Sequence, residues 1–197
     1  SSFEPIRFAP PGEQVVRCAR QQTAFVLGFP GATITADDRH ALDVLSEITS
    51  GLAGRFFQAV RGDNALAYAV TAFHRARRDA GNFITYTATS PDREAEAREI
   101  LLAECEKLAR EPVKPEELAS AKEALRGAQI IGTQTFSAQA AEMATLRLYG
   151  LPTDAPQRYL ARIHQVTDEE LMEVASRYLR PERAWLGAVR GGERPVV

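Results

Sequence analysis

The chain has 197 residues, of which 45% are hydrophobic and 25% charged, and its net charge is −2. This length suits a single domain with a full core, and the composition is typical of a globular protein. The small net charge gives no electrostatic reason to expect nucleic acid or an anionic membrane as a partner. No apolar run approaches the ~20 residues of a membrane span, so the sequence predicts a soluble protein, in the cytoplasm or the periplasm.

The cysteine content argues against a disulfide scaffold and against a cysteine-ligated zinc site. The chain has two cysteines, Cys18 and Cys105, without a C-x-x-C pattern, and such a pair is typical of free thiols. Cys105 lies on an apolar stripe at helical spacing, so it is predicted to be buried.

The first part of the chain predicts a linker, a strand and a helix. Residues 1–14 are rich in proline and read as an extended linker from a preceding domain, so we assign residues 15–197 to a single domain. Alternating apolar residues predict a strand over 22–29. Thr35, with an acidic residue three positions later, is the predicted N-cap of a helix whose apolar positions recur to about Leu52.

The rest of the chain predicts a hairpin, a series of helices and a last strand. Turn residues join two strand-like segments over 66–75 and 82–89. The predicted helices cover residues 91–110, 115–134, 137–148, 154–164 and 167–179, and a final strand covers 183–189. This order favours an α+β fold, an antiparallel-containing β-sheet with several helices packed on one face.

The stretch from Gly51 to Tyr68 carries the candidate site. Gly51 and Gly54 interrupt a helical pattern, which indicates a break or a close backbone approach. The helical pattern then resumes and ends at Arg61, where the helix dipole favours a cation. Turn residues follow, and Tyr68 lies in the next predicted strand.

Arg61 and Tyr68 therefore lie on either side of one predicted helix-to-strand turn. A guanidinium fork and a phenol hydroxyl are suitable donors to peptide carbonyls or to an oxyanion. A structural interpretation is also open at this point, because arginine is common at helix ends and tyrosine is common in strands.

The order of residues in this stretch carries a family resemblance. A glycine-containing segment at 50–57 is followed by Val60-Arg61 and then by Leu66-Ala67-Tyr68. This order resembles the second, zinc-free homologous half of the pitrilysin, insulinase and mitochondrial processing peptidase family of zinc metallopeptidases. The resemblance extends from about residue 22 to about residue 191.

Three positions depart from the family pattern. Leu52 stands where a further glycine is usual, Gly54 where serine is usual, and Phe56 where leucine is usual. These departures bear on the shape of the loop more than on Arg61 and Tyr68.

The zinc motif of the family's active half is absent from the sequence. That half carries H-x-x-E-H on a helix, whereas His40 here is followed by Asp43 and Val44. We interpret His40 as a residue of the helix surface. His164 lies near a predicted helix end, where the dipole accounts for it, and His74 continues a strand.

The resemblance implies a two-half clamshell with the peptide substrate between the halves. It implies no metal or cofactor in this chain, zinc in a homologous partner half, and no hydrolytic activity of this chain alone. It also implies that Arg61 and Tyr68 bind the substrate and support the transition state in trans. The partner half belongs to the same chain or to a separate subunit, and a homo-oligomer is left open.

Two alternatives remain at this stage. The same fold resembles core subunits of respiratory complexes, in which case the chain is a non-catalytic structural or interaction module. The other alternative is an α+β binding domain unrelated to proteolysis.

Overall fold

The computed structural model describes residues 8–51, 53–61 and 67–192. The strands are β1 (Gly12–Cys18), β2 (Thr23–Gly31), β3 (Ala67–Ala76), β4 (Gly81–Thr89) and β5 (Trp185–Gly191). The helices are α1 (Asp38–Thr49), α2 (Arg55–Arg61), α3 (Glu94–Leu108), α4 (Pro115–Gly132), α5 (Phe136–Tyr149), α6 (Ala155–Gln165) and α7 (Asp168–Tyr178). Short 3₁₀ turns at Pro91–Arg93 and Pro181–Arg183 precede α3 and β5.

The five strands form one mixed sheet in the order β1-β5-β2-β4-β3. β1 pairs in parallel with β5, and the other neighbouring pairs are antiparallel. The α+β prediction is therefore confirmed. Strand β1 was not predicted, and its first three residues fall within the range assigned to the linker.

One face of the sheet is covered by helices and forms the core. Phe25, Leu27 and Phe29 of β2 point to this face and are buried, as are Phe83 and Thr85 of β4. The alternation in β2 was predicted from the sequence. Burial of each large apolar side chain contributes about 1.5–3 kcal/mol relative to exposure, so this face defines the register of the central strands.

One side of helix α1 packs against the helix-covered face of the sheet. Its N-cap residue is Asp37 and its first residue is Asp38, so the prediction that Thr35 caps this helix is wrong. The Asp37 side chain does not cap the helix and instead accepts hydrogen bonds from Arg162 of α6 at 2.7–3.2 Å. Tertiary ion pairs, rather than a local cap, thus hold the start of α1.

Local signals were more reliable further along the chain. Thr167 accepts a hydrogen bond from the backbone N–H of Glu170 at 3.3 Å and caps α7, close to the predicted helix start at residue 167. Cys105 is fully buried in α3, as expected. Burial raises the pKa of its thiol to about 12, which disfavours the reactive thiolate form. No helix within the described part of the chain is long and apolar enough to cross a membrane.

Candidate functional site

The loop between α1 and α2 is built by two glycines with different roles. Gly51 has φ of 77°, a left-handed conformation that favours glycine. At Gly54, an added Cβ would lie 2.2 Å from the carbonyl oxygen of Ser50, so only glycine fits the close backbone approach. Ser50 in turn accepts a hydrogen bond from the backbone N–H of Ala72 at 3.3 Å, which ties the loop to edge strand β3. The predicted close approach at the glycines is therefore confirmed at Gly54.

Arg55 anchors the start of α2 to the start of α4. Its guanidinium makes two hydrogen bonds to the carboxylate of Glu117, at 3.0 and 2.7 Å. Glu117 also accepts a hydrogen bond from the backbone N–H of Lys114, as part of a capping box. The guanidinium of Arg55 holds the pKa of the Glu117 carboxyl below its ordinary value. This bidentate pair therefore fixes the helix that carries Arg61.

Arg61 is the last residue of α2, as predicted, and its side chain is exposed. Its guanidinium carbon lies 5.5 Å from the centroid of the Phe57 ring, one helical turn earlier. Within the described residues no carboxylate forms an ion pair with Arg61, so the Phe57 ring supports the side chain while its N–H donors remain available.

Tyr68 owes its exposure to a β-bulge. Ala67 pairs with Thr89 and Ala69 pairs with Ala88, which leaves Tyr68 as the extra residue between them. Regular alternation with the buried Val70 would have turned position 68 towards the helices. The bulge instead leaves Tyr68 with 66% of its surface exposed. Within the described residues its hydroxyl has no hydrogen-bond partner.

Arg61 and Tyr68 together flank residues 62–66, and we call them the Arg61–Tyr68 corner. The predicted turn at 62–64 and the predicted strand start at Leu66 lie outside the described residues. Both corner side chains are exposed, as a substrate-binding role requires. If both residues act on one substrate, their side-chain tips face one shared cavity, and this placement is a prediction.

A cleft of about 330 Å³ lies beside the glycine loop, between the end of α1 and the start of α4. Glu47, Ser50 and Gly54 line one side, and Glu116 and Ser120 line the other. Burial, and then the charge of Asp43, raises the pKa of the Glu47 carboxyl above its ordinary value. The cleft offers carboxylates, hydroxyls and backbone groups near the Arg55–Glu117 pair.

A buried cluster of ionisable groups lies elsewhere, between α1, α6 and β3. Asp43 accepts hydrogen bonds from His74 Nδ1 at 2.8 Å and from the Tyr159 hydroxyl at 3.0 Å. His74 Nε2 lies 3.2 Å from the carbonyl oxygen of Ala32, so acceptors face both nitrogens of this buried ring. Burial, and then the charge of Asp43, raises the pKa of the Tyr159 phenol well above its ordinary value.

The histidines do not form a metal site. His40 is buried in α1, so its interpretation as a helix-surface residue is wrong. Its Nδ1 lies 2.8 Å from the carbonyl oxygen of Asp37, and burial lowers the pKa of its ring. His164 lies in the last turn of α6, as expected. No group of three potential ligands converges among residues 8–51, 53–61 and 67–192, so these residues do not fit zinc.

Sequence reasoning missed the Arg55–Glu117 pair, although one signal was present. An arginine at the first position of a helix is opposed by the helix dipole, so its presence calls for a carboxylate partner from elsewhere. The partner stands 62 positions away, and nothing in the local pattern identifies it.

The fold is an α+β domain, and comparison with known proteins gives its family. The family model described as the peptidase M16 inactive domain matches residues 3–125. The chain belongs to this family, which confirms the resemblance to the zinc metallopeptidase family.

A curated relative supports the same placement. An uncharacterised zinc protease of Mycobacterium tuberculosis is 31% identical over 172 residues, which cover 87% of this chain and 39% of that protein. This chain therefore spans less than half the length of the curated relatives that it matches.

Solved structures share the fold at low sequence identity. The peptidase M16 inactive domain from Pseudomonas fluorescens superimposes with a TM-score of 0.86 at 16% identity, covering 99% of this chain and 48% of that one. The inactive peptidase domain from Bordetella parapertussis gives 0.81 at 19% identity, covering 92% of this chain and 97% of that one.

Proposed function

We propose that this domain is the non-zinc, substrate-binding half of a two-half zinc metallopeptidase and completes its active site for peptide hydrolysis. The observation that carries the proposal is the exposure of Arg61 and Tyr68 at one corner. A bulge turns the tyrosine outward, and the arginine is held by an aromatic ring rather than by a carboxylate.

The chemistry of the corner suits a developing oxyanion. When bound in the partner half, zinc supplies the activated water and polarises the scissile carbonyl. Arg61 offers a planar fork of N–H donors, and Tyr68 offers one O–H donor. Donors already positioned before the reaction act without reorganisation, and one of them contributes about 3–4 kcal/mol to transition-state stabilisation.

The test is a peptide-cleavage assay of the domain reconstituted with its zinc half. Tyr68→Phe is expected to lower turnover by about 10²-fold or more, because one oxyanion donor is lost. Arg61→Lys is also expected to impair turnover, because a point ammonium does not reproduce the guanidinium fork.

Matched controls are available on the same sheet. Tyr86 is exposed on β4, and Arg75 on β3 stacks over Phe73 at 4.7 Å much as Arg61 stacks over Phe57. Tyr86→Phe and Arg75→Lys are expected to retain turnover. If all four variants were equally active, the corner would have no catalytic role and the alternative of a structural core subunit would be favoured.

A further inference from the structure

Three arginines line one pocket at the end of the sheet where β1 and β5 finish. The pocket has a volume of about 260 Å³ and lies between these two strands and the start of α3. Arg17 comes from β1, Arg190 from β5 and Arg98 from α3. Asp92 and Glu94 are the acidic residues of the lining. The lining therefore contains three positive and two negative charges.

The sheet register places two of these arginines side by side. Arg17 is the partner of Arg190 in the parallel pair of β1 with β5. Two positions earlier, Val15 packs against the core and its partner Ala188 is buried. The alternation of side chains along a strand therefore turns both arginines towards the helix-covered face. Like charges on neighbouring strands repel each other, so this placement costs stability.

The charge of Arg190 is neutralised within the fold. Its guanidinium donates two hydrogen bonds to the carboxylate of Glu94, at 2.6 and 2.7 Å, and this carboxylate is buried. Arg98 lies one helical turn after Glu94, a spacing that suits an ion pair. Both oxygens of the Glu94 carboxylate are, however, engaged by Arg190, so this acid does not neutralise the other two arginines.

Arg17 and Arg98 keep uncompensated charges. In the part of the chain that the structure describes, neither guanidinium forms an ion pair or a side-chain hydrogen bond. The remaining acid, Asp92, is exposed at the rim, where its carboxylate lies 3.7 Å from Nε of Arg93. One cavity is thus lined by two unpaired guanidinium groups, and packing within the fold does not account for their convergence.

We propose that this pocket binds a phosphate group, either free phosphate or a small phosphate monoester. Arg17 and Arg98 supply two planar forks, each able to donate two parallel hydrogen bonds to an oxyanion. A bound anion would also relieve the repulsion between Arg17 and Arg190.

Charge and size favour a small phosphate ligand. A phosphate monoester carries a charge of about −1.5 to −2 at pH 7, which matches two uncompensated arginines. A single carboxylate would leave one of them unbalanced. The volume of about 260 Å³ is below the range typical of drug-sized ligands, so the ligand is a phosphate with few further atoms. The lining includes neither Arg61 nor Tyr68.

The test measures the affinity of the chain for inorganic phosphate by calorimetry at constant ionic strength. Arg17→Gln with Arg98→Gln removes both unpaired guanidinium groups and leaves the Arg190–Glu94 pair in place. This double variant is expected to bind phosphate about 100-fold more weakly, because each charge-assisted contact accounts for about tenfold. Arg17→Lys with Arg98→Lys keeps the charges without the forks, and its affinity is expected to lie between the two.

The matched control is Arg77→Gln with Arg78→Gln. Both arginines are exposed between β3 and β4, so the control changes the net charge of the chain by the same amount. It is expected to bind phosphate as wild type does. An equal loss of affinity in this control would indicate general charge attraction and overturn the proposal. A wild-type chain that does not bind phosphate would also overturn it.

Urea denaturation separates a binding role from a structural one. Without phosphate, the Arg17 and Arg98 glutamine variant is expected to be at least as stable as wild type, because it removes the repulsion between Arg17 and Arg190. Phosphate is expected to raise the unfolding midpoint of wild type but not that of the variant, since a ligand of the folded state stabilises it. A variant less stable than wild type in the absence of phosphate would assign these arginines a structural role and overturn the proposal.

Acetate and glycerol phosphate define the chemistry of the ligand. Tighter binding of glycerol phosphate than of free phosphate would support a phosphate monoester as the source, and the reverse order would support free phosphate. Binding of acetate as tight as that of phosphate would identify a carboxylate ligand and overturn the proposal.

A last variant examines whether the chain fills the pocket with its own carboxylate. Glu193 follows the end of β5 by two positions and lies outside the described residues. Glu193→Gln is expected to bind phosphate as wild type does. Phosphate binding by Glu193→Gln, combined with none by wild type, would make Glu193 the occupant and overturn the proposal.

Discussion

The Asp43 cluster and the Arg61–Tyr68 corner each contain a tyrosine and a basic side chain. In the cluster these hydrogen-bond donors are bound to acceptors inside the domain, whereas in the corner they are exposed. In the cluster, His74 and Tyr159 converge on one carboxylate inside the domain, and the ring nitrogens and the hydroxyl each have a partner. In the corner, a guanidinium and a phenol lie exposed, and Arg61 stacks over the Phe57 ring.

The difference shows that a concentration of ionisable side chains is not by itself a sign of an active site. A donor already committed to an internal acceptor cannot be offered to a substrate without breaking that bond. The Asp43 cluster joins three elements and stabilises the fold, whereas the corner adds little to the fold and keeps its donors available for a ligand.

The largest expected effect on stability is that of Asp43→Ala. This change leaves the buried donors of His74 and Tyr159 without an acceptor, which is expected to lower the free energy of unfolding by about 3 kcal/mol. Tyr159→Phe removes one hydrogen bond and is expected to cost about 1 kcal/mol. Urea denaturation of the isolated chain measures both.

Glu99→Ala is the control for the Asp43 variant. Glu99 is exposed on α3 and forms no ion pair within the described residues. If Asp43→Ala costs no more than Glu99→Ala, the cluster does not stabilise the fold and the contrast with the corner is lost.

A smaller, pH-dependent effect is expected for Glu117→Gln, which breaks the half-buried anchor beside the corner. Because Arg55 lowers the pKa of Glu117 in the folded state, the pair stabilises the fold above the ordinary glutamate pKa of about 4.3. This stabilisation is lost as the pH falls through the lowered folded-state pKa. The variant is expected to be about 1 kcal/mol less stable at pH 7, with the difference shrinking below about pH 4.

Glu123→Gln on the same helix is the matched comparison, because Glu123 pairs with Arg126 on the exposed surface. Solvent and salt screen this pair, so no measurable change is expected at either pH. An equal, pH-independent loss in both variants would contradict the account of the Arg55–Glu117 anchor.

The smallest effects on stability are expected at the corner itself. Arg61→Ala and Tyr68→Phe should each change the free energy of unfolding of the isolated chain by no more than about 0.5 kcal/mol, because both side chains are exposed. Urea denaturation under the same conditions checks this. A loss greater than 1 kcal/mol would assign these residues a structural role.

The sequence by itself determined the features that depend on near neighbours. Alternation at Phe25, Leu27 and Phe29 predicted β2 and its buried face, because side chains in a strand point to opposite sides in turn. Most predicted helix bounds lie within two or three residues of the observed ones. Arg61 and Tyr68 were also named from local order and family resemblance, and their catalytic role stays a prediction.

The tertiary structure alone decided the features that join distant parts of the chain. Strand β1 pairs with β5 from the other end of the sequence, and Arg55 finds Glu117 62 positions away. Tyr159 reaches Asp43 across 116 positions, and the exposure of Tyr68 follows from a register shift against β4. Periodicity and capping signals reach only a few residues along the chain, whereas these contacts arise when the whole core packs.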